Sequence, residues 1–204
     1  MNYNTCYFFD DEQKRDFGDY YWFSEGFSEE EVQKIEKQIG KSNINVDYGK
    51  IFSTNELEEV KNYRNSKIGW IPQDDEFSWL YDRIATYTRE ANDAIWHLDI
   101  VGMQEQAQYG VYEGSETGHY DWHIDLGSDG LPARRKISVV VQLTDPEEYE
   151  GGELQIKIKK DNTTVWKKRG GVCCFPSFYL HKVTPVTKGT RKSLVLWNSG
   201  PPLR

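Results

Sequence analysis

The sequence has few of the residues that usually stabilise secreted or membrane proteins. Its cysteines, Cys6, Cys173 and Cys174, are too few and odd in number for a disulfide framework, so we expect a reducing, cytoplasmic location. No apolar run is long enough to span a bilayer, which predicts no membrane partner. Residues 1–17 lack a basic start followed by an apolar stretch and do not resemble a secretory signal.

An excess of positive charge is also missing. The formal net charge is −8, and basic residues occur only in short groups such as 133–136 and 167–169. Proteins that bind nucleic acid usually carry a basic stripe, because phosphate contacts supply most of their affinity. We therefore expect no nucleic-acid partner, and the acidic surface favours neutral or basic peptides over acidic ones. Nothing in the sequence indicates an oligomeric state.

Helical periodicity is confined to the first half of the chain. The first helix is predicted to start at Ser28, which forms a capping-box pattern with Glu31, and to end at Gly40. Residues 41–73 show no clear period and are predicted to be rich in loops. A second helix is predicted within 74–96, where apolar side chains recur at spacings of three and four: Leu80, Ile84, Tyr87, Ala91 and Ile95.

From about residue 99 the pattern changes to short β-type runs bounded by turn residues. Several such strands after two helices predict an α+β fold, in which helices pack on one face of an antiparallel sandwich or barrel. We expect a single domain over 1–204, with a helical support region at 1–98 and a β core carrying the active site at 99–204. The predicted strands lie within 104–113, 136–143, 152–159, 163–168, 171–175 and 191–197.

The stretch HYDWHIDLG concentrates two of the four histidines of the chain. In an extended strand His123 and Asp125 project from the same face and could hold a cation together. The third ligand must come from elsewhere. His97 follows the second helix as a cap or surface residue and His119 lies in a glycine-rich turn, whereas His181 begins another predicted strand. Two histidines and one carboxylate form the facial triad of non-haem Fe(II) oxygenases, which leaves coordination positions open for chemistry.

An arginine ten residues after His181 fits the same chemistry. Arg191 follows a turn containing proline and glycine, and it shares a face of the last predicted strand with Ser193. A guanidinium beside a hydroxyl is well suited to a carboxylate. An iron site with a carboxylate receptor nearby suggests a dicarboxylate cosubstrate whose other end chelates the metal.

Three blocks of sequence together resemble the 2-oxoglutarate- and Fe(II)-dependent dioxygenases, specifically the prolyl 4-hydroxylase branch. The resemblance runs from about residue 107 to 201 and rests on YEGSETGHYDWHID, KISVVVQLTDPEEYEGGELQI and GGVCCFPSFYLHKVTPVTKGTRKSLVLW. It implies a double-stranded β-helix core of the jelly-roll or cupin-like kind, which agrees with the strand pattern. One departure is Arg191, since collagen-type members carry lysine there, whereas oxygen-sensing and many microbial members carry arginine.

The resemblance implies roles for individual residues. The catalytic set would be His123, Asp125 and His181 as Fe(II) ligands, with Arg191 binding the far carboxylate of 2-oxoglutarate. Tyr120 precedes a ligand by three residues and so lies on the opposite pleat, where only a twist or a bulge lets it help. The remaining implied contacts are to the cosubstrate, by Tyr112, Ser193 and Gln142, and to the substrate, by Tyr120, Trp122 and Trp197.

The implied activity is hydroxylation with release of succinate and CO2, using Fe(II), 2-oxoglutarate and O2, with ascorbate as a candidate further cofactor. The expected substrate is a proline in a peptide or protein. A hydroxylase of a free amino acid or other metabolite shares the same motifs and stays open. A non-catalytic, cupin-like metal-binding protein could share the two histidines and the aspartate but has no need for Arg191. Residues 126–136, with two glycines and a proline after the ligand strand, are predicted to form a mobile cover.

Overall fold

The computed structural model describes residues 20–42, 44–49, 62–158 and 160–202. The sequence-based predictions for Cys6 and residues 1–17, and part of the stretch predicted to be rich in loops, lie outside these residues. Two helices, α1 (Glu29–Lys41) and α2 (Ser78–Ala91), are accompanied by strands. In chain order the strands are β1 (Tyr21–Phe23), β2 (Asp47–Tyr48), β3 (Arg64–Asn65), β4 (Lys67–Ile71), β5 (Gly102–Met103), β6 (Ala107–Glu113), β7 (His119–His123), β8 (Arg135–Gln142), β9 (Tyr149–Gly151), β10 (Leu154–Ile158), β11 (Asp161–Thr164), β12 (Val172–Pro176), β13 (His181–Val183) and β14 (Val186–Ser199).

The strands form two sheets. The larger has the order β1-β12-β8-β14-β6-β4-β2, with β5 and β9 also pairing with β14, and the smaller has the order β11-β10-β13-β7-β3. Every strand pairing within the described ranges is antiparallel. Neighbours in each sheet come from distant parts of the sequence, so β13 and β7 bring the two halves of the predicted triad side by side.

Helix α1 begins as its capping residues predict but ends later. Ser28 accepts a hydrogen bond from the Glu31 backbone N–H and donates its own N–H to the Glu31 carboxylate, which completes the capping box. Gly40 was predicted to stop the helix and does not. The helix continues to Lys41, and Ser42 caps it with its N–H on the Gln38 carbonyl. An exposed glycine with open space around it costs the helix about 1 kcal/mol and does not by itself end it.

Both helices pack on one outer face of the larger sheet. Their buried side chains join one apolar cluster with alternate residues of β8 and β14: Val32, Ile35, Leu80, Ile84, Val139, Val141, Leu194 and Leu196. The residues in between point the other way, so Val140 and Val195 meet Leu154 and Ile156 of the smaller sheet. The alternation of a strand thus directs odd-numbered residues of β14, including Arg191, into the space between the sheets. None of the described helices is long and apolar enough to cross a bilayer.

The described part of the stretch 41–73 contains three strands that its sequence did not reveal. Strand β4 pairs with β6, β2 extends the larger sheet beyond β4, and β3 pairs with β7 at the edge of the smaller sheet. Strands of two residues carry no readable period, and their position is set by the neighbours with which they pair. At Gly69 a side chain would meet Ile44 at 2.6 Å, so this glycine permits a close approach of the chain.

Candidate metal centre and cosubstrate site

Three side chains converge between the sheets with the geometry of a metal site. His123 ends β7, Asp125 follows two residues later, and His181 begins β13, which pairs with β7 so that the two histidines are direct cross-strand neighbours. The Nε2 atoms of His123 and His181 lie 3.7 and 3.5 Å from the two carboxylate oxygens of Asp125. One ligand atom from each of the three lies within 4.8 Å of the others.

Both histidines are oriented by backbone carbonyls. The Nδ1 of His123 lies 2.7 Å from the Asp121 carbonyl oxygen, and that of His181 lies 2.9 Å from the Tyr179 carbonyl oxygen. Each Nδ1–H therefore donates to the backbone, which leaves the Nε2 lone pair facing Asp125. This second hydrogen bond is the usual way that a protein fixes the tautomer of a metal-binding histidine.

Asp125 is held as a carboxylate by its surroundings. Burial alone would raise its pKa, but the neighbouring His181 and His123 and the hydroxyl of Ser138 lower it to about 2. Ser138 Oγ donates to the carboxylate at 2.7 Å and lies 3.0 Å from Ser177 Oγ, so a pair of hydroxyls supports this ligand. Burial and the proximity of His181 lower the pKa of His123 to about 3.

This donor set fits Fe(II). At neutral pH the Asp125 carboxylate is ionised and the His123 imidazole is neutral, so neither must lose a proton to bind a metal. Two imidazoles and one carboxylate that converge beside a cavity could hold an ion from one side and leave coordination positions for other ligands. The three sequence-predicted ligands therefore come together, and their role as metal ligands stays a prediction.

A cavity of about 1190 Å³ opens in front of the triad. Arg191 lines the same cavity and is only 2% exposed. Its NH1 donates to Ser193 Oγ at 3.1 Å, and its guanidinium carbon lies 5.3 Å from the centre of the Tyr112 ring, its cross-strand neighbour. No carboxylate lies within ion-pair distance of Arg191 in the part of the chain that the structure describes. A buried, unpaired guanidinium facing the cavity is suited to a ligand carboxylate.

The resemblance assigned Gln142 to the cosubstrate, but this residue is not among those that line the large cavity. Its amide donates to the Tyr149 hydroxyl at 2.9 Å and to the Thr144 carbonyl at 3.3 Å, and it lines a small void behind Arg191. The amide supports the wall of the site through Tyr149, whose hydroxyl also interacts with Arg191. Tyr149 was missed in the sequence because it follows an acidic turn rather than a strand pattern.

Tyr120 reaches the metal centre because strand β7 carries a bulge. His123 is opposite His181, but Tyr120 is opposite Val183, so three steps along β7 match two along β13. The extra residue brings Tyr120 to the ligand face, where its ring stacks on His123 with centroids 3.5 Å apart. Burial raises the pKa of its hydroxyl to about 12. Tyr120 lines the cavity, as the resemblance implied.

The two tryptophans assigned to the substrate have different positions. Trp197 lines the cavity, and its indole N–H is buried beside Asp125 without a standard hydrogen-bond partner among the described residues. Its ring lies under the Arg135 guanidinium at 3.6 Å. Trp122 is not among the residues that line the cavity, and its ring packs under Lys182. Trp122 is adjacent to His123 and points to the other face of the strand, and its assignment as a substrate residue stays a prediction.

His119 lies apart from the triad although it shares a strand with His123. Its two ring nitrogens lie 2.8 and 3.0 Å from the carbonyl oxygens of Thr117 and Asn62. Both nitrogens therefore face backbone acceptors, and neither is directed at Asp125. His97 is an exposed residue at the end of the helical turn after α2, with φ 50°.

The segment 126–136 forms one rim of the cavity. Leu131 and Pro132 line it, and the segment folds on itself through a hydrogen bond from the Gly127 N–H to the Pro132 carbonyl at 3.0 Å. Arg135, at its end, forms an ion pair with Glu105 and donates to the Asp125 carbonyl at 3.2 Å. The rim is thus tied to the backbone of a predicted ligand.

Binding of a metal and 2-oxoglutarate is expected to protect this rim from trypsin. Closure over a ligand would slow cleavage after Arg134, whereas cleavage after Lys168, an exposed residue outside the rim segment, serves as an internal control and should not change. Mass spectrometry of timed digests with and without Mn(II) and 2-oxoglutarate gives both rates. Equal cleavage after Arg134 in the two conditions would show that residues 126–136 do not act as a cover.

Comparison with known proteins finds a similarity that covers the β core. Residues 107–199 match the family model described as "2OG-Fe(II) oxygenase superfamily". The match covers the β core and a little under half of the chain. PKHD-type hydroxylases from Cupriavidus metallidurans and Nitrosomonas europaea are 39% identical over 92 residues and 40% identical over 85 residues, covering 42% and 39% of this chain. The chain spans only 40% and 37% of the length of these curated relatives.

Solved structures show the same fold over most of the chain. A Trichoplax adhaerens prolyl hydroxylase in complex with a hypoxia inducible factor peptide matches with TM-score 0.72 and 18% identity, covering 89% of this chain and 83% of its own. A Pseudomonas putida prolyl-4-hydroxylase matches with TM-score 0.66 and 18% identity, covering 88% and 92%. At these identities the likeness concerns the fold, and it confirms the double-stranded β-helix. The expected resemblance to prolyl hydroxylases is borne out at the level of the fold.

Proposed function

We propose that this 2OG-Fe(II) oxygenase-type protein is a hydroxylase that uses Fe(II), 2-oxoglutarate and O2. The observation that carries the proposal is the presence of two complementary features in one cavity: the triad His123, Asp125 and His181, and the buried guanidinium of Arg191. When bound, Fe(II) with 2-oxoglutarate and O2 supplies the oxidising chemistry, in which the cosubstrate is converted to succinate and CO2 and a substrate C–H bond is hydroxylated.

The residues of the chain hold and orient the reactants. The carbonyls of Asp121 and Tyr179 fix the imidazole rings, so both Nε2 lone pairs face one point. Arg191 binds the far carboxylate of 2-oxoglutarate and, with Ser193 beside it, sets the direction in which the cosubstrate lies. Arg191 and Ser193 lie on a regular strand, and strands hold the residues of a site more precisely than loops do.

The proposed substrate is a proline in a peptide or protein. Structures that match this fold include a prolyl hydroxylase with a peptide and a viral collagen prolyl hydroxylase, at 22% identity for the latter. The cavity is open and bordered by apolar side chains that are partly exposed, Trp70 at 42%, Ile124 at 48% and Leu131 at 44%. Aromatic and apolar borders of this kind suit extended proline-containing segments, which lose little entropy on binding.

Two alternative functions that the sequence left open can be compared with the geometry of the site. A hydroxylase of a free amino acid or metabolite would use the same triad and the same Arg191. A non-catalytic, cupin-like metal protein would have no use for Arg191, whose burial without a carboxylate carries a cost that a bound anion offsets. The first alternative is tested below together with the proposal. Cys173 and Cys174 are free thiols, in keeping with the proposed cytoplasmic location.

Incubation with Fe(II), 2-oxoglutarate and a panel of proline-containing peptides is expected to release succinate. Each succinate should be matched by one oxygen atom added to a proline, which mass spectrometry of the peptide detects. His181→Ala is the matched inactive control, because it removes one metal ligand and leaves the peptide-facing rim intact. If free amino acids couple succinate release and no peptide does, the peptide substrate is wrong and the metabolite hydroxylase replaces it.

A further inference from the structure

A second buried arginine faces the cavity, and none of the assigned roles uses it. Arg64 on β3 is 6% exposed and lines the cavity together with Tyr63, Gln108 and Tyr120. Its Nε donates to Ser66 Oγ at 2.9 Å and its NH2 donates to Gln108 Oε1 at 2.8 Å. These two acceptors leave NH1 without a hydrogen bond to any described residue, although a guanidinium has five N–H donors.

Among the residues that the structure describes, the partners of Arg64 are all neutral. A hydroxyl, an amide oxygen and the face of the Tyr120 ring, 4.4 Å from the guanidinium carbon, surround it. In the described ranges no carboxylate lies within ion-pair distance of it, whereas Arg135, which also lines the cavity, is paired with Glu105. Buried cations are normally paired, because a charge without a partner is costly to remove from water.

The charges within the cavity balance without Arg64. The two positive charges of Fe(II) and the one on Arg191 are matched by the carboxylate of Asp125 and a dianionic 2-oxoglutarate. Asp47 also lines the cavity, but its side chain is exposed to solvent, so water and salt screen its charge. Arg64 therefore gives the loaded cavity a local positive charge, although the whole chain has a net charge of −8.

Arg64 lies close to the reaction site. The Tyr120 ring contacts both groups, since its centroid lies 3.5 Å from the centroid of the His123 ring and 4.4 Å from the guanidinium carbon of Arg64. Gly49 lets the chain pass against Arg64, since a side chain there would meet Nε at 2.6 Å. The guanidinium is thus fixed in position beside the triad, on a different strand from Arg191.

We propose that Arg64 binds a carboxylate of the substrate, which lies close to the carbon that is hydroxylated. The proposal rests on the proposed hydroxylase function and specifies its substrate as an anion. The net charge of the chain led to the expectation that neutral or basic peptides are preferred, and the proposal reverses it. A group bound in the cavity is affected mainly by the charges close to it, and less by those on the distant surface. The carboxylate can belong to a free amino acid, a peptide C-terminus or an acidic side chain.

Pairs of compounds that differ only in the carboxylate test this inference. The probes are L-proline and L-prolinamide, a proline-containing pentapeptide with free or amidated C-terminus, and a terminally blocked peptide with glutamate or glutamine beside proline. Binding is measured by calorimetry without O2 on protein loaded with Mn(II) and 2-oxoglutarate, and turnover is measured as succinate release. Wild type is compared with Arg64→Gln, Arg64→Lys and the control Arg89→Gln, which removes an exposed arginine in the last turn of α2.

In wild type and Arg89→Gln, at least one carboxylate probe should bind about tenfold or more tightly than its neutral partner, and the pair identifies the source of the carboxylate. In Arg64→Gln this ratio should fall to about one, while the affinity for 2-oxoglutarate stays unchanged. Arg64→Lys should retain part of the preference. A purely structural Arg64 would weaken both members of a pair equally, so an unchanged ratio overturns the inference.

The inference is also overturned if wild type binds no carboxylate probe more tightly than its neutral partner. If no probe yields succinate but the binding ratio depends on Arg64, the anion site stands and the proposed hydroxylation fails. If succinate is released from neutral and anionic probes alike, the hydroxylase stands and the anion site fails.

Discussion

His181→Ala is expected to lose both the bound divalent metal and 2-oxoglutarate turnover while keeping its fold. His181 is one of three converging ligands, and removal of its imidazole leaves two. Loss of a mere hydrogen-bond partner of a ligand typically lowers metal affinity roughly 10–100-fold, so loss of a ligand should have a larger effect. His123→Ala should behave in the same way. Metal content after equilibration with Fe(II) or Mn(II), together with circular dichroism for the fold, gives the result.

His119→Ala is the matched control for the loss of a histidine. It lies on the same strand as His123, but its ring faces the carbonyls of Thr117 and Asn62. This variant should bind one metal ion per chain, as is expected of wild type. Full activity in His123→Ala or His181→Ala would mean that the triad is misassigned, and loss of metal in His119→Ala would place a ligand outside it.

Arg191→Ala is expected to raise the KM for 2-oxoglutarate at least about tenfold. Truncating one partner of a buried charge pair typically costs about 2–5 kcal/mol, and each 1.4 kcal/mol is a factor of ten. The Arg191 side chain is buried, and no carboxylate of the described residues forms an ion pair with it. The far carboxylate of 2-oxoglutarate is therefore its expected counter-ion. Succinate formation at varied 2-oxoglutarate concentration measures the effect.

Arg191→Lys separates charge from geometry at this position. Lysine retains the positive charge but not the planar fork, so its KM should lie between those of wild type and Arg191→Ala. Metal content should be unchanged in both variants, because Arg191 is not a ligand. An unchanged KM for 2-oxoglutarate in Arg191→Ala would reject Arg191 as the residue that binds the far carboxylate. Arg64, the other buried arginine of the cavity, would then be the next candidate for that role.

The parts of the site that the sequence predicts are those that obey a simple period. His123 and Asp125 are two residues apart, and Arg191, Ser193 and Trp197 alternate along β14, so their shared faces follow from strand geometry. The start of α1 was predictable for a similar reason, because the capping box at Ser28 is a local pattern. Long strands and local caps are determined by nearby residues.

The parts that the sequence did not predict depend on contacts between distant segments. Arg64 lies on a strand of two residues that exists only because β7 is beside it. The bulge that brings Tyr120 to the ligand face appears only in the register between β7 and β13. Gln142 lies at the end of strand β8, near residues of the site, but its amide donates a hydrogen bond to Tyr149. Pairing and register decide these positions, and a single sequence does not reveal them.

A crystal structure of the protein with Mn(II) and 2-oxoglutarate tests the central claim most directly. The account predicts one anomalous peak bound to Nε2 of His123, Nε2 of His181 and a carboxylate oxygen of Asp125. The chelating end of 2-oxoglutarate should lie on the metal and its far carboxylate on Arg191, leaving Arg64 free for the substrate. A metal bound elsewhere, or a far carboxylate bound to Arg64, would contradict it.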